Sequence, residues 1–279
     1  MSSSNYDSRR RVRADIIAMV VAVVVAFPVY WMLVTALKRP QDILSAVPKF
    51  IPFPASLGNF STAMASPLFW TYARNSLLVS VATVVLSMIL AVGAALALSR
   101  FRFIGRRTLL IALVLVQMIP TAAMVIPLYL NLRSIGALDQ ISGLLLTYLT
   151  FVLPFAAWTL RGFVDSVPED LEGAAMIDGC SRFGAFIRVT LPLLAPGIAA
   201  TSIFAFINAW DDYLYAYVIM RSAEHYTLPV WIVSFQTAEG VDYGALIAAS
   251  TIFSLPVLVF FLFVQRRLVG GTTAGAVKG

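Results

Sequence analysis

PEDLEGAAMIDGCSRFGAFIRVTLP, residues Pro168 to Pro192, is a polar stretch set between two long apolar runs, and what it interrupts defines the chain. Of the 279 residues, 60% are hydrophobic and 12% charged, with a mean hydropathy of +0.87. A water-soluble globule is about one half apolar and one quarter charged, so this composition describes an integral membrane protein. The apolar residues fall in runs of about 20 or more, long enough for helical spans, and do not alternate with the period of an outer-membrane barrel. The fold class is therefore all-α and membrane-embedded, and the polar stretch is the one sizeable insertion on its side of the membrane.

Inside the stretch the local signals are those of a short rigid helix. Ser166 with Glu169 gives the S-x-x-E capping pattern, Pro168 suits a first helical turn, and Glu169, Asp170 and Glu172 favour the positive end of the helix dipole. Leu171, Ala174, Ala175 and Asp178 share one face, which the alanines leave shallow enough to enter a groove on another protein. Gly179 supplies the left-handed residue of a helix stop, and Ser181 caps a second short helix through Phe186 and Ile187. Leu191 and Pro192 then lead back into the membrane.

Outward from this point, six spans are expected, at about 14–37, 72–98, 108–130, 141–160, 193–220 and 244–264. The first contains Pro28 and exceeds the apolar core of a signal peptide, so it reads as an uncleaved helix. A proline-rich connection at about 38–66 is expected to be an ordered external loop without helical period. Placing the amino terminus in the cytoplasm puts fourteen of the 20 Lys and Arg inside, leaving Lys38, Arg39, Lys49, Arg74, Arg133 and Arg221 outside. Both termini and the polar stretch are then cytoplasmic. The organisation is a tail at 1–13, a six-helix membrane domain at 14–268 with its loop at about 166–190, and a tail at 269–279.

Several function classes drop out. The basic balance, a pI near 9.7, comes from arginines at the ends of apolar runs, a topology signal with no nucleic-acid face. Cys180 and His225 are each the sole residue of their type, so neither a disulfide framework nor a thiolate metal site nor a Cys/His nucleophile pair can be assembled within the chain. The absence of a G-x-x-x-x-G-K-[ST] phosphate loop excludes nucleotide hydrolysis by that route. No catalytic residue, metal site or cofactor is expected.

Polar groups within the spans mark a candidate path. Gln117 and Thr121 lie beside Pro120 and Pro127, and each proline frees a backbone carbonyl that lipid cannot satisfy. Asn208, Trp210, Asp211 and Asp212 interrupt the apolar run FAFINAWDDYLYAYVIM. Carboxylates there require the bundle interior, a partner or water; alternatively the helix ends near Trp210 and the acids sit at the outer interface. Trp158, Trp210, Tyr213, Tyr215 and Trp231 suit stacking on sugar rings and equally an aromatic belt. A secondary, ion-coupled transporter would need coupling acids or histidines at the midplane and inverted repeats; Asp211 and Asp212 are its only candidates.

Glu172, Ala174, Ala175, Asp178 and Gly179, with Ile187, Leu191 and Pro192 downstream, resemble the E-A-A loop of ABC importer permeases. Gly173 departs from the usual pattern, and Cys180 stands where a small alanine is common. Asn75-Ser76, the Trp210-Asp211-Asp212 neighbourhood and the tail from Gln265 to Gly279 look like the carbohydrate branch, specifically the second permease of maltose-type systems. The resemblance implies a bacterial cytoplasmic-membrane subunit that pairs with a homologous permease and docks through its loop, a coupling helix between spans four and five, on two cytoplasmic ATPases. It also implies an extracytoplasmic binding protein or lipoprotein as the source of cargo, and ATP and Mg held by the ATPases. The cargo would be a sugar or sugar derivative: an oligosaccharide, polyol or glycerophosphodiester. Thr273, Ala274, Gly275 and Lys278 would touch the ATPases, and the segment 224–243 would reach the binding protein.

Overall fold

The structure is a computed structural model that describes residues 3–238 and 240–273, with side chains over 14–238 and 240–265. Helices dominate: α1 (Ser3–Ala36), α2 (Pro40–Ile43), α3 (Gly58–Met64), α4 (Phe69–Arg100), α5 (Arg106–Gln117), α6 (Val125–Ser134) and α7 (Ile141–Ser166) fill the first part. After them come α8 (Glu169–Ile177), α9 (Arg182–Ala185), α10 (Leu191–Leu193), α11 (Ala195–Trp210), α12 (Leu214–Ile219), α13 (Leu228–Val233) and α14 (Tyr243–Thr273). A two-residue antiparallel ladder joins β1 (Gln236–Thr237) to β2 (Gly240–Val241). Residues 14–36 of α1, all of α4 and α7, and residues 243–265 of α14 are long and apolar enough to cross a membrane.

Two expected spans are broken. The segment 108–130 is not one kinked helix. α5 stops at Gln117, a 3-10 turn covers Thr121–Met124, and the chain resumes with the direction changed by 100°. Pro120, with ψ 126 and no N–H to donate, cannot continue the helix. The segment 193–220 likewise ends at Trp210 and restarts at Leu214, with a further bend of 69° between Arg182–Leu193 and Ala195–Trp210. If each bent pair is one crossing, the spans number six. The connection 38–66, expected to be an external loop without helical period, contains two short helices, α2 and α3.

The chain divides into two compact units. The first comprises Met1–Pro67 and Ile232–Ser254. Within it, the Asn59 amide donates to the carbonyls of Ala36 and Lys38 at 2.9 and 2.7 Å, satisfying acceptors that the end of α1 leaves open. Asp42 accepts from Lys49 Nζ at 2.6 Å and Arg39 Nε at 3.0 Å, and these bonds hold its carboxyl below the usual range, Lys49 contributing most.

The second unit comprises Leu68–Trp231 and Leu255–Gly279. Its centre is the α4/α7 pair. Ala91 and Ala95, one helical turn apart on α4, are fully buried and pack in one cluster with Val152, Ala156, Leu160 and Val164 of α7 and Leu194 and Ala205 beyond it. Small residues allow the close backbone approach that drives association in lipid. Two buried hydroxyls in the seams are satisfied locally: Thr83 donates to Val79 O at 2.7 Å and Thr201 to Gly197 O at 2.8 Å. Gly197 permits close packing of α11 on α7, since a Cβ there would lie 2.5 Å from the Phe163 ring. By contrast α5 buries none of its side chains.

Candidate coupling and translocation sites

The polar loop is built as a rigid bracket. α7 ends at Ser166, Val167 and Pro168 are extended, and α8 begins at Glu169. The expected Ser166 cap does not form: the hydroxyl donates to Phe163 O at 2.7 Å, completing α7. Pro168 and the acidic first turn set the start of α8 instead. At the other end Gly179 takes φ +92°. Its N–H donates to Met176 O at 3.1 Å and the Cys180 N–H to Ala175 O at 3.0 Å, the two bonds that close a Schellman motif. Ser181 then accepts from the Gly184 N–H at 3.1 Å and caps α9. A π-helical turn, Phe186–Thr190, leads to α10 with Leu191 and Pro192.

The inner face of α8 is tied to the rest of its unit through Glu172. Thr190 Oγ1 donates to Glu172 Oε1 at 2.7 Å, and Arg100 Nε, from the last turn of α4, approaches the same oxygen at 3.3 Å. Arg100 also donates to Val167 O at 2.7 Å and pairs with Glu169 at 3.5 Å. The Arg100 side chain is 7% exposed and that of Glu172 14%. Sequence reasoning read Arg100 only as a topology charge and gave Thr190 no role.

The outer face is open. Leu171, Ala174, Asp178 and Gly179 are exposed and Ala175 is half-buried. Ile177 is 89% exposed, which makes the face more apolar than its alanines suggested, whereas Phe183, 73% exposed, lines a cavity with Arg100 and Glu172. Both were visible in the sequence as large apolar residues in a polar insertion. Of the proposed tail contacts, Ala274, Gly275 and Lys278 lie outside the described residues, and Thr273 is described only as the last helical residue.

A cavity of about 310 Å³ lies farther along α7 and α11. It brings together Asn208, Asp211 and Asp212 with Thr121, Tyr148, Phe151 and Tyr215. The two acids differ in use. Asp212 accepts from Tyr148 OH at 3.0 Å and from the Ala216 N–H at 3.0 Å, so it caps α12 and braces α7. Asp211 is exposed and accepts no hydrogen bond from another described residue. Trp210 is 2% exposed, stacked on Phe206 away from the cavity lining. Gln117 is also outside the lining and donates to Leu113 O. Trp231 is buried against Phe69, and Tyr213 packs on Tyr217.

Two polar clusters secure the segment after α12. The Asn75 amide donates to Glu224 O at 2.8 Å and Tyr226 O at 3.0 Å, and Ser76 Oγ accepts from the Leu228 N–H at 2.8 Å. Asp139 accepts from the N–H groups of Arg221 and Ser222 and from the Ser222 hydroxyl, and lies 3.1 Å from His225 Nδ1. Desolvation opposes ionisation of Asp139, but these donors together outweigh it and hold the carboxyl far below its ordinary value.

Residues 84–272 match the model of the family described as binding-protein-dependent transport system inner membrane component. The chain is 46% identical over 269 residues to the diacetylchitobiose uptake system permease protein DasC of Streptomyces coelicolor, covering 96% of this chain and 98% of that one. It is 37% identical over 254 residues to the trehalose transport system permease protein SugB of Mycobacterium tuberculosis, covering 90% and 92%. Its fold is similar to a chain in the structure of a bacterial ABC transporter involved in import of the acidic polysaccharide alginate, with a TM-score of 0.76 at 23% identity, over 95% and 98% of the two chains.

Proposed function

The chain belongs to the family of binding-protein-dependent transport system inner membrane components, and from that premise we propose that it is one of two homologous permeases in an ATP-driven importer of an oligosaccharide or related sugar derivative. The carrying observation is the bracket at 166–190, whose inner face is anchored through Glu172 while its outer face offers Leu171, Ala174 and Ile177. That combination suits a docking element that must move without deforming. Two cytoplasmic ATPases bind there, with ATP and Mg, and the chain itself binds no cofactor. Both termini are cytoplasmic and six crossings make up the bundle.

The cavity around Asn208 and Asp211 forms this subunit's share of the translocation path. Its aromatic walls and polar groups suit a hydroxyl-rich ring. The cargoes named for the two relatives, diacetylchitobiose and trehalose, support a disaccharide. An extracytoplasmic binding protein or lipoprotein delivers the cargo to the segment 224–243. The tail from Thr273 through Ala274, Gly275 and Lys278 contacts the ATPases, so removing 274–279 weakens their association, read by co-purification in detergent; unchanged co-purification overturns that contact.

The deciding experiment reconstitutes both permeases, the ATPases and the binding protein in proteoliposomes and follows uptake of labelled diacetylchitobiose and trehalose. Accumulation of either sugar is expected only with internal ATP and the binding protein together. Uptake of both by this chain alone on a proton or sodium gradient would overturn the reading.

A further inference from the structure

The bracket has a weak point and a fastening that bypasses it. Val167 and Pro168 form an extended joint between α7 and α8, where a push on the loop could be absorbed by bending. Arg100 closes that joint from outside the loop. It comes from the final turn of α4, donates to Val167 O inside the joint at 2.7 Å, and reaches Glu172 at 3.3 Å on α8. Thr190 holds the same Glu172 oxygen at 2.7 Å from the segment leading to α11. Three parts of the unit, α4, α8 and the turn before α10, therefore meet on one carboxylate. A planar guanidinium can serve a carbonyl and carboxylates at once in fixed directions, which a lysine ammonium does not reproduce.

We propose that Arg100 is a positioning residue that locks the loop helix to α4, so that displacement of the loop by the ATPases is carried into the membrane span and not lost at the Val167–Pro168 joint. The proposal rests on reading the loop as the ATPase-docking element. Glu172 then acts inward, as the point where α4 and Thr190 grip α8, while docking falls to the exposed Leu171 and Ile177.

The test uses the whole reconstituted importer carrying Arg100→Gln, Arg100→Lys, Thr190→Val or Gly179→Val, with sugar uptake and ATP hydrolysis measured on the same vesicles. For Arg100→Gln the expected result is retained ATPase association with uptake per ATP down about tenfold, equivalent to about 1.4 kcal/mol. Arg100→Lys and Thr190→Val should show smaller losses in the same ratio. Amide exchange over 169–178 should rise in each variant relative to α7, a readout that a change in assembly alone would not confine to the loop. Wild-type uptake per ATP in Arg100→Gln overturns the proposal. If that variant does not assemble, wild-type ratios and exchange in both Arg100→Lys and Thr190→Val overturn it instead. Gly179→Val separates the two layers: if it uncouples while the Arg100 and Thr190 variants do not, the clasp is wrong. If it too leaves uptake per ATP intact, the docking reading of the loop fails.

Discussion

Gly179→Val is the sharpest perturbation of the loop because its cost is purely conformational. A Cβ built at Gly179 meets nothing within 4 Å, so no clash contributes. The backbone, however, sits at φ +92°, where a β-branched residue is strained by about 1–3 kcal/mol. At 1.4 kcal/mol per decade that lowers the population of the closed Schellman bracket about five- to 150-fold. The two bonds at risk are those from Gly179 to Met176 and from Cys180 to Ala175, and losing them redirects the chain before Ser181 can cap α9. Uptake and ATP hydrolysis in proteoliposomes should separate, with uptake falling about tenfold or more while the protein still reaches the membrane. Gly173→Ala is the matched control. Gly173 lies inside α8, a Cβ there also meets nothing, and alanine favours the helix by about 1 kcal/mol. Normal uptake with Val at 179, or equal damage from Ala at 173, would refute the reasoning.

Asp211 and Asp212 should part company under substitution: Asp212→Ala removes the cap on α12 and the Tyr148 bond, costing about 1–3 kcal/mol and lowering the Tm in detergent. Asp211→Ala should leave Tm unchanged and reduce uptake; a matching Tm loss in both would show that neither acid is available to cargo. Gly197→Ala forces a Cβ to within 2.5 Å of the Phe163 ring, so overpacking of about 1–3 kcal/mol should lower Tm, and an unchanged melting curve would count against the tight α7/α11 seam. The depressed pKa of Asp139 makes a stabilising contribution that is present above the unfolded value of about 4 and lost as pH falls toward the folded value. Asp139→Asn should therefore lower Tm at pH 7 and matter progressively less below pH 4; a pH-independent difference would show that the donors do not act through its charge.

What sequence could say about this chain divides along a physical line. Gly179, Ser181 and the acidic first turn of α8 were legible because caps and stops are local, set by one residue's own backbone and its neighbours within four positions. Ser166 shows the limit even there: its hydroxyl had two local roles, accepting from an N–H of α8 or donating back to a carbonyl of α7, and the second prevailed. The breaks at Pro120 and after Trp210 were harder, because apolar periodicity continues through them and only the missing N–H or the caps reveal the interruption. Arg100 and Thr190 were not legible at all. Their partner Glu172 lies 72 and 18 residues away, and nothing in an arginine at the end of an apolar run distinguishes a topology charge from a buried clasp. The Asn75-Ser76 pair was noticed only through resemblance, and its hydrogen bonds supply the physical reason for those side chains: they hold backbone about 150 residues downstream.

The loop and the cavity are joined by the same helices, so under the proposed function a push on one alters the other. α7 carries Tyr148, Phe151 and Val152 into the cavity wall and ends in the loop joint; α11 begins just beyond the loop and delivers Ile207 and Asn208. From Ala195 to Asn208 the helix covers about 20 Å at 1.5 Å per residue. Between those ends the seam is filled by Ala156, Leu160, Val164, Leu194 and Ala205, all at most 1% exposed, and close-packed interiors pass displacement on without absorbing it. At the far end Trp210 stacks on Phe206, which stacks in turn on Phe260, and Asp212 is committed to α12 and Tyr148. The break after α11 is thus rigid on both sides. On the proposed reading of the cavity as part of the path, Asp211 and Asn208 are the polar surface that a moving α11 presents to or withdraws from a sugar, so the acid most exposed in the cavity is the one whose replacement should alter transport without altering the fold.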